Sequence, residues 1–186
     1  MWLTLSLFLA ALGGLPAQVI QSPDSSDRSI VEGLKCNFDF GVCGLDQTYS
    51  GDSWFRFRLV ESGVEGEPTG DHPTGFGRFL TFTLPKEHIE NHYKFSDLTL
   101  ATLTKGHTYC FSFWYYLSGK NPGHLIALEE PLEELAVYEG QSHEWKEGKL
   151  NLEGHDKALR MRFIFKSGAF GDIGLDDIEL TVGKCL

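Results

Sequence analysis

Positive charge is scarce in this chain. Against 26 Asp and Glu it sets 16 Lys and Arg in 186 residues, a formal charge of -10. Such a surface disfavours the phosphate backbone of nucleic acid, which is held by clustered Lys and Arg. It also offers no polybasic patch to an anionic bilayer. Past the first fifteen residues there is no long hydrophobic run. The longest aromatic stretch, Phe111 to Leu117, is strand-sized and well short of the roughly 20 apolar residues that span a membrane as a helix. Familiar catalytic signatures are missing too: no Gly-x-Ser-x-Gly elbow, no phosphate loop and no Gly-x-Gly-x-x-Gly. His88 and His92 have helical spacing, but Glu90 stands two residues after His88 and not one, so this is not a metallopeptidase motif. It reads as a polar loop after Pro85. No Asn-x-Ser/Thr sequon occurs, so N-glycosylation is not expected. These absences argue for a protein that is not an enzyme.

The first residues have a pattern of their own. Trp2 to Leu15 is uncharged and rich in Leu, with small residues at Ala10, Ala11, Gly13 and Gly14. Residues 1–17 are expected to be a signal peptide cleaved after Ala17. Residues 18–33, with Ser22, Pro23, Asp24, Ser25, Ser26 and Asp27 in succession, read as a flexible leader. From 34 to 186 the composition is uniform, so a single domain is expected. The chain ends at Leu186, one residue after Cys185. That leaves no spacer and hydrophobic tail for a lipid anchor, and a soluble, secreted protein is expected.

Within that domain the dominant period is two. Phe55, Phe57 and Leu59 alternate with Arg56 and Arg58; Leu80, Phe82 and Leu84 with Thr81 and Thr83; Leu159, Met161, Phe163 and Phe165 with Arg160 and Arg162. Alternation of this kind places one face in a core and one in water. Tyr109 to Leu117 is apolar on both faces apart from Ser112, which predicts a central strand covered on both sides. Twenty-one Gly and 13% aromatics supply turns and a β-rich interior. The expected fold is all-β: an antiparallel jelly-roll β-sandwich. Glu129 to Glu134, acidic and interrupted by Pro131, reads as a solvated loop. Trp54, Trp114 and Trp145 read as core more readily than as a binding groove.

Only four cysteines are present: Cys36, Cys43, Cys110 and Cys185. No Cys-x2-Cys pair opens a zinc site. In a secreted chain four cysteines suggest two disulfides, with three possible connectivities. Cys36 and Cys43 are close enough to staple a local loop, which leaves Cys110 with Cys185. Loop-closure entropy gives roughly 2.5 kcal/mol for the short bridge and about 4.5 kcal/mol for the long one.

Several segments, in order, resemble the MAM domain, the extracellular module of meprins, neuropilins and receptor tyrosine phosphatases. Cys36-Asn37-Phe38-Asp39 resembles its opening Cys-x-Phe-acidic motif, and Cys43-Gly44 with Gln47 its Cys-Gly-x-x-Gln element. Asp52-Ser53-Trp54-Phe55-Arg56 is similar to the strand that follows, with its aromatics displaced. Thr69-Gly70-Asp71-His72-Pro73-Thr74-Gly75 resembles the Asp-His-Thr loop, interrupted by Pro73. Cys110-Phe111-Ser112-Phe113-Trp114-Tyr115 matches the Cys-Leu-x-Phe-Trp-Tyr strand, and Gly174-Leu175-Asp176-Asp177-Ile178 the closing Ala-Leu-Asp-Asp-Ile motif. The resemblance implies the same disulfide pairing and a recognition or adhesion role for an extracellular or cell-surface protein partner. Two alternatives are a carbohydrate-binding jelly roll and an accessory or decoy form of a larger MAM-containing protein.

Asp39, Asp71 and Asp176 each sit in one of these motifs. First and last strands of a jelly roll can lie side by side, which would bring the carboxylates together. Converging carboxylates repel unless protonated or bound to a cation, and hard oxygen ligands favour calcium. Asp39, Asp71 and Asp176 either share one structural Ca²⁺ with help from backbone carbonyls, or each caps a turn or accepts backbone hydrogen bonds; Asp177 is expected to point to the other side of its strand.

Overall fold

The computed structural model of the protein describes residues 34–49, 58–61, 70–83, 94–119, 122–131, 133–142, 144–165 and 171–186. The expected signal peptide and leader, Trp54 and the His88–His92 segment lie outside the described residues. Eleven strands run through the described part: β1 (Leu34–Cys36), β2 (Asp46–Tyr49), β3 (Arg58–Glu61), β4 (Arg78–Thr83), β5 (Lys94–Leu103), β6 (Thr108–Leu117), β7 (His124–Glu129), β8 (Glu133–Tyr138), β9 (Lys146–Glu153), β10 (Lys157–Phe165) and β11 (Asp172–Val182). They form two antiparallel sheets, as the period-two pattern requires. One has the order β3-β4-β11-β6-β9, with β1 also paired to β11; the other has the order β2-β5-β10-β7-β8.

The inner faces interdigitate in the expected parity. Leu80 and Phe82 of β4, Phe111 and Phe113 of β6, and Leu159, Met161 and Phe163 of β10 are all buried. Phe82 meets Phe163 edge-on across the two sheets, centroids 6.1 Å apart. Each such side chain contributes about 2–3 kcal/mol by leaving water. Gly148 is required on β9 because a Cβ there would strike the Phe113 ring.

Disulfides join Cys36 to Cys43 and Cys110 to Cys185. The second lies on the outer face of the first sheet, where the Cys185 N–H donates to Asn151 Oδ1 of β9 at 2.7 Å. First and last strands do run side by side, with Cys36 opposite Ile178.

The segment 129–134 corrects the expectation of a solvated loop. Glu129 ends β7 and Glu133 begins β8, so the acidic run is a hairpin turn between paired strands. Glu129 shares the inward parity of Leu125 and Ala127, and it is buried. His155 Nδ1 lies 3.1 Å from its carboxylate, and Lys157 Nζ at 3.5 Å compensates its charge. Outside the second sheet, Arg162 makes two 2.6 Å hydrogen bonds to the buried Asp97 carboxylate and lies over the Phe95 ring. That hydrogen bonding holds the Arg162 guanidinium above its ordinary pKa. Packed against the margin of the core, the Tyr138 hydroxyl is pushed up to about 12, by burial first and by Tyr115 second.

Candidate functional site

Trp114 and Tyr116 do not face the core. They alternate with Phe113 and Leu117 and so project from the outer face of the first sheet. The sequence expectation of a sandwich-core tryptophan is corrected accordingly: Trp114 belongs to a second, smaller apolar cluster on the outside. Phe79 and Tyr116 meet Trp145 there, with centroids 5.6 and 5.7 Å from its ring. Trp145 is brought over the sheet because Ser142 docks on the end of β6: the Leu117 N–H donates to Ser142 Oγ at 2.8 Å, and the Ser142 N–H to the Leu117 carbonyl at 2.7 Å. Residues 70–77 close over this cluster as a loop. The His72 ring stacks on Trp114, centroids 3.6 Å apart and 12° from parallel, and Trp145 Nε1 donates to the Gly70 carbonyl at 3.0 Å. Gly70 packs so tightly on Gly75 that a side chain at residue 70 would meet backbone.

The underside of this loop is acidic. Asp176 lies opposite Trp114 in the β11–β6 ladder and is 0% exposed. Its Oδ2 accepts the His72 N–H at 2.9 Å and its Oδ1 the Asp177 N–H at 2.8 Å. Desolvation is the largest influence and drives the Asp176 carboxyl up to about 8. The two N–H donors pull the other way, while the charges of Asp177 and Asp71 push it further up.

Asp177 corrects the period-two expectation. A register shift falls between Asp176 and Glu179, and Asp177 has a φ of 44°. This β-bulge breaks the alternation, so Asp177 reaches the same loop as Asp176. Its Oδ2 meets His72 Nδ1 at 2.8 Å. Two adjacent aspartates thus hold one histidine, one at its backbone and one at its ring.

Asp71 is buried in the loop, and its carboxylate accepts from Thr74 Oγ1 at 2.9 and 3.2 Å. Asp39 comes from the neighbouring Cys36–Cys43 loop. Its Oδ1 accepts the Arg78 N–H at 3.1 Å and its Oδ2 the Asn37 amide at 2.7 Å. The carboxylates of Asp39 and Asp71 converge over Gly77, and a Cβ on that glycine would lie against an oxygen of each. The fold therefore brings Asp39 and Asp71 together, and it places Asp176 near Asp71. Among the described residues no three His, Cys, Asp or Glu side chains are already arranged as a metal-ligand set.

Sequence reasoning missed the His72 and Asp177 contact, because only the bulge creates it. The Asp176-Asp177 doublet within a strand was the available signal, since two adjacent carboxylates cannot both face away from the core without a break in register.

The sequence profile described as "MAM domain, meprin/A5/mu" matches residues 36–186. Human nephronectin is 29% identical over 154 residues, covering 81% of this chain and 25% of that protein. Human MAM domain-containing glycosylphosphatidylinositol anchor protein 1 is 26% identical over 186 residues, covering 89% of this chain and 18% of that protein. The chain thus spans a quarter or less of these relatives. In solved structures, the K2 cleaved adhesin domain of Lys-gingipain superposes with a TM-score of 0.63 at 14% identity, covering 80% of this chain and 99% of that one. The CBM22-1 xylan-binding domain of Paenibacillus barcinonensis Xyn10C gives 0.51 at 12% identity, covering 82% and 95%. At such identities these two neighbours establish a shared β-sandwich fold. With the profile matched from the first cysteine to the last residue, the chain belongs to the MAM family.

Proposed function

We propose that this chain is an extracellular module that recognises another protein and performs no catalysis. MAM membership supports the recognition role, and two disulfides fit an oxidising compartment. The observation that carries protein over carbohydrate is the covered outer face of the first sheet. There the aromatic side chains that a sugar would need for stacking are engaged with one another and with His72 beneath the 70–77 loop. The His72–Asp177 pair has the form of a base with its orienting acid. Yet its ring lies flat on Trp114 and its described hydrogen bond runs to Asp177, not to a hydroxyl or thiol. The same carboxylates are proposed to take one structural Ca²⁺. The support is the convergence of Asp39 and Asp71 over Gly77 and the burial of Asp176 beside Asp71.

The test probes an array of extracellular proteins and a glycan array with the same labelled chain. Saturable binding to proteins and none to glycans is the expected result. Saturable glycan binding alone would replace this reading with the carbohydrate-binding one.

A further inference from the structure

Two phenylalanines stand in water on adjoining loops. Phe40 is 100% exposed and Phe76 is 88% exposed. Neither sits on a loose segment. The Phe40 loop is closed by Cys36–Cys43, by the Gly41 N–H to the Phe38 carbonyl at 3.1 Å, and by the Leu45 N–H to the Val42 carbonyl at 2.9 Å. Phe38 anchors it from below and is fully buried. The Phe76 loop is clamped by Thr74, whose Oγ1 accepts the Phe76 N–H at 3.0 Å while its hydroxyl proton goes to Asp71.

The loops are joined beside the two rings. Asp39, next to Phe40, accepts the Arg78 N–H and converges with Asp71 over Gly77, next to Phe76. Val42, 43% exposed, extends the apolar surface on the first loop. Large aromatic side chains carried on a fixed backbone have only their own few torsions to order on docking, which suits binding anchors.

The charge around them selects the occupant. Asp39 precedes Phe40, and its carboxylate meets that of Asp71 over Gly77, the residue after Phe76. Lys35 is paired with Glu179. The whole chain carries -10, and the proposed Ca²⁺ on Asp39, Asp71 and Asp176 leaves it at -8 (-10 + 2). A second copy would bring the same charge, and an anionic lipid surface would repel it. A protein surface with an apolar pocket ringed by Lys and Arg is complementary on both counts.

We infer that Phe40 and Phe76 form a two-pronged anchor that docks into an apolar, cationic-rimmed pocket on an extracellular protein. This rests on the protein-recognition reading above and names its surface. The test places the photo-cross-linker p-benzoyl-phenylalanine at Phe40, at Phe76 or, as a control, at the exposed Val182, and irradiates the protein in an extracellular-matrix extract. Positions 40 and 76 should capture the same proteins, at sites flanked by Lys and Arg, and position 182 should not. With a captured protein purified, Phe40→Ser/Phe76→Ser should weaken its Kd at least tenfold, while melting temperature stays unchanged. Cross-links to lipid, to a second copy of this chain, or in equal yield at Val182 would overturn the inference. A captured partner bound equally well by the double variant would overturn the surface and leave recognition standing. A wild-type chain that binds no protein at all would overturn both.

Discussion

Asp176→Asn separates the electrostatics of the buried carboxyl from its packing. The wild-type carboxyl titrates near 8 when folded, against 3.8 for an unperturbed Asp. Between those values the folded chain holds a proton that the unfolded chain has released, so stability falls as pH rises. The stabilisation is complete below about pH 4 and is lost as pH passes through 8. At about 1.36 kcal/mol per pH unit, the full span corresponds to roughly 6 kcal/mol, and relaxation around the charged form reduces this to about 2–5 kcal/mol. The Asn variant has no proton to lose. It also has a single acceptor oxygen where His72 and Asp177 each donate an N–H, and the orphaned donor costs about 1–3 kcal/mol at every pH. The variant should therefore be less stable than wild type near pH 4.5 and equal or more stable near pH 8.5. Urea unfolding in chelating buffer across this range reads the effect, and groups titrating alike in both proteins cancel in the difference. Parallel curves would refute the reasoning, for then the carboxyl titrates as it does in the unfolded chain.

Four further outcomes are expected. Adding millimolar Ca²⁺ should flatten the wild-type pH slope and raise the melting temperature by a few degrees, with no response in Asp176→Asn; indifference to calcium and chelator, with no metal in elemental analysis, would remove the proposed ion. Gly77→Ala drives a methyl group between Asp39 and Asp71, and calorimetry should show a loss of about 1–3 kcal/mol. Arg162→Ala strands the buried Asp97 carboxylate, and should cost about 3–5 kcal/mol in urea unfolding, more than Arg162→Ala/Asp97→Ala costs relative to Asp97→Ala. Removing the long bridge as Cys110→Ala/Cys185→Ala should cost about 3–4.5 kcal/mol, because its two cysteines are 75 residues apart.

The sandwich was legible because its strands are half-buried, and half-burial imprints a period of two on the sequence. Leu159, Met161 and Phe163 declare their face without any help from the rest of the chain. Three features were not legible, each for a different reason. Asp177 turns toward His72 because a bulge with positive φ breaks parity, and the Asp176-Asp177 doublet hints at such a break without fixing where it falls. Glu129 is buried because β7 runs on to it with inward parity, whereas local composition at Glu129, Glu130 and Pro131 reads as loop. Trp114 and Tyr116 point outward by strand parity, and the apolar pattern on both faces of Tyr109 to Leu117 predicts a cover there, but that loop 70–77 and Trp145 supply it is a tertiary event. Phe40 and Phe76 left a faint trace: an aromatic between two nearby cysteines and another between two glycines, positions where turns expose side chains.

Protein recognition is tested most directly by binding of the labelled chain to cell-derived extracellular matrix that has been pretreated in one of two ways. Mild protease should abolish saturable binding, and exhaustive glycosidase digestion should leave its Kd within about twofold of the untreated value. Binding that survives protease and disappears with the glycans would contradict a protein-recognition module.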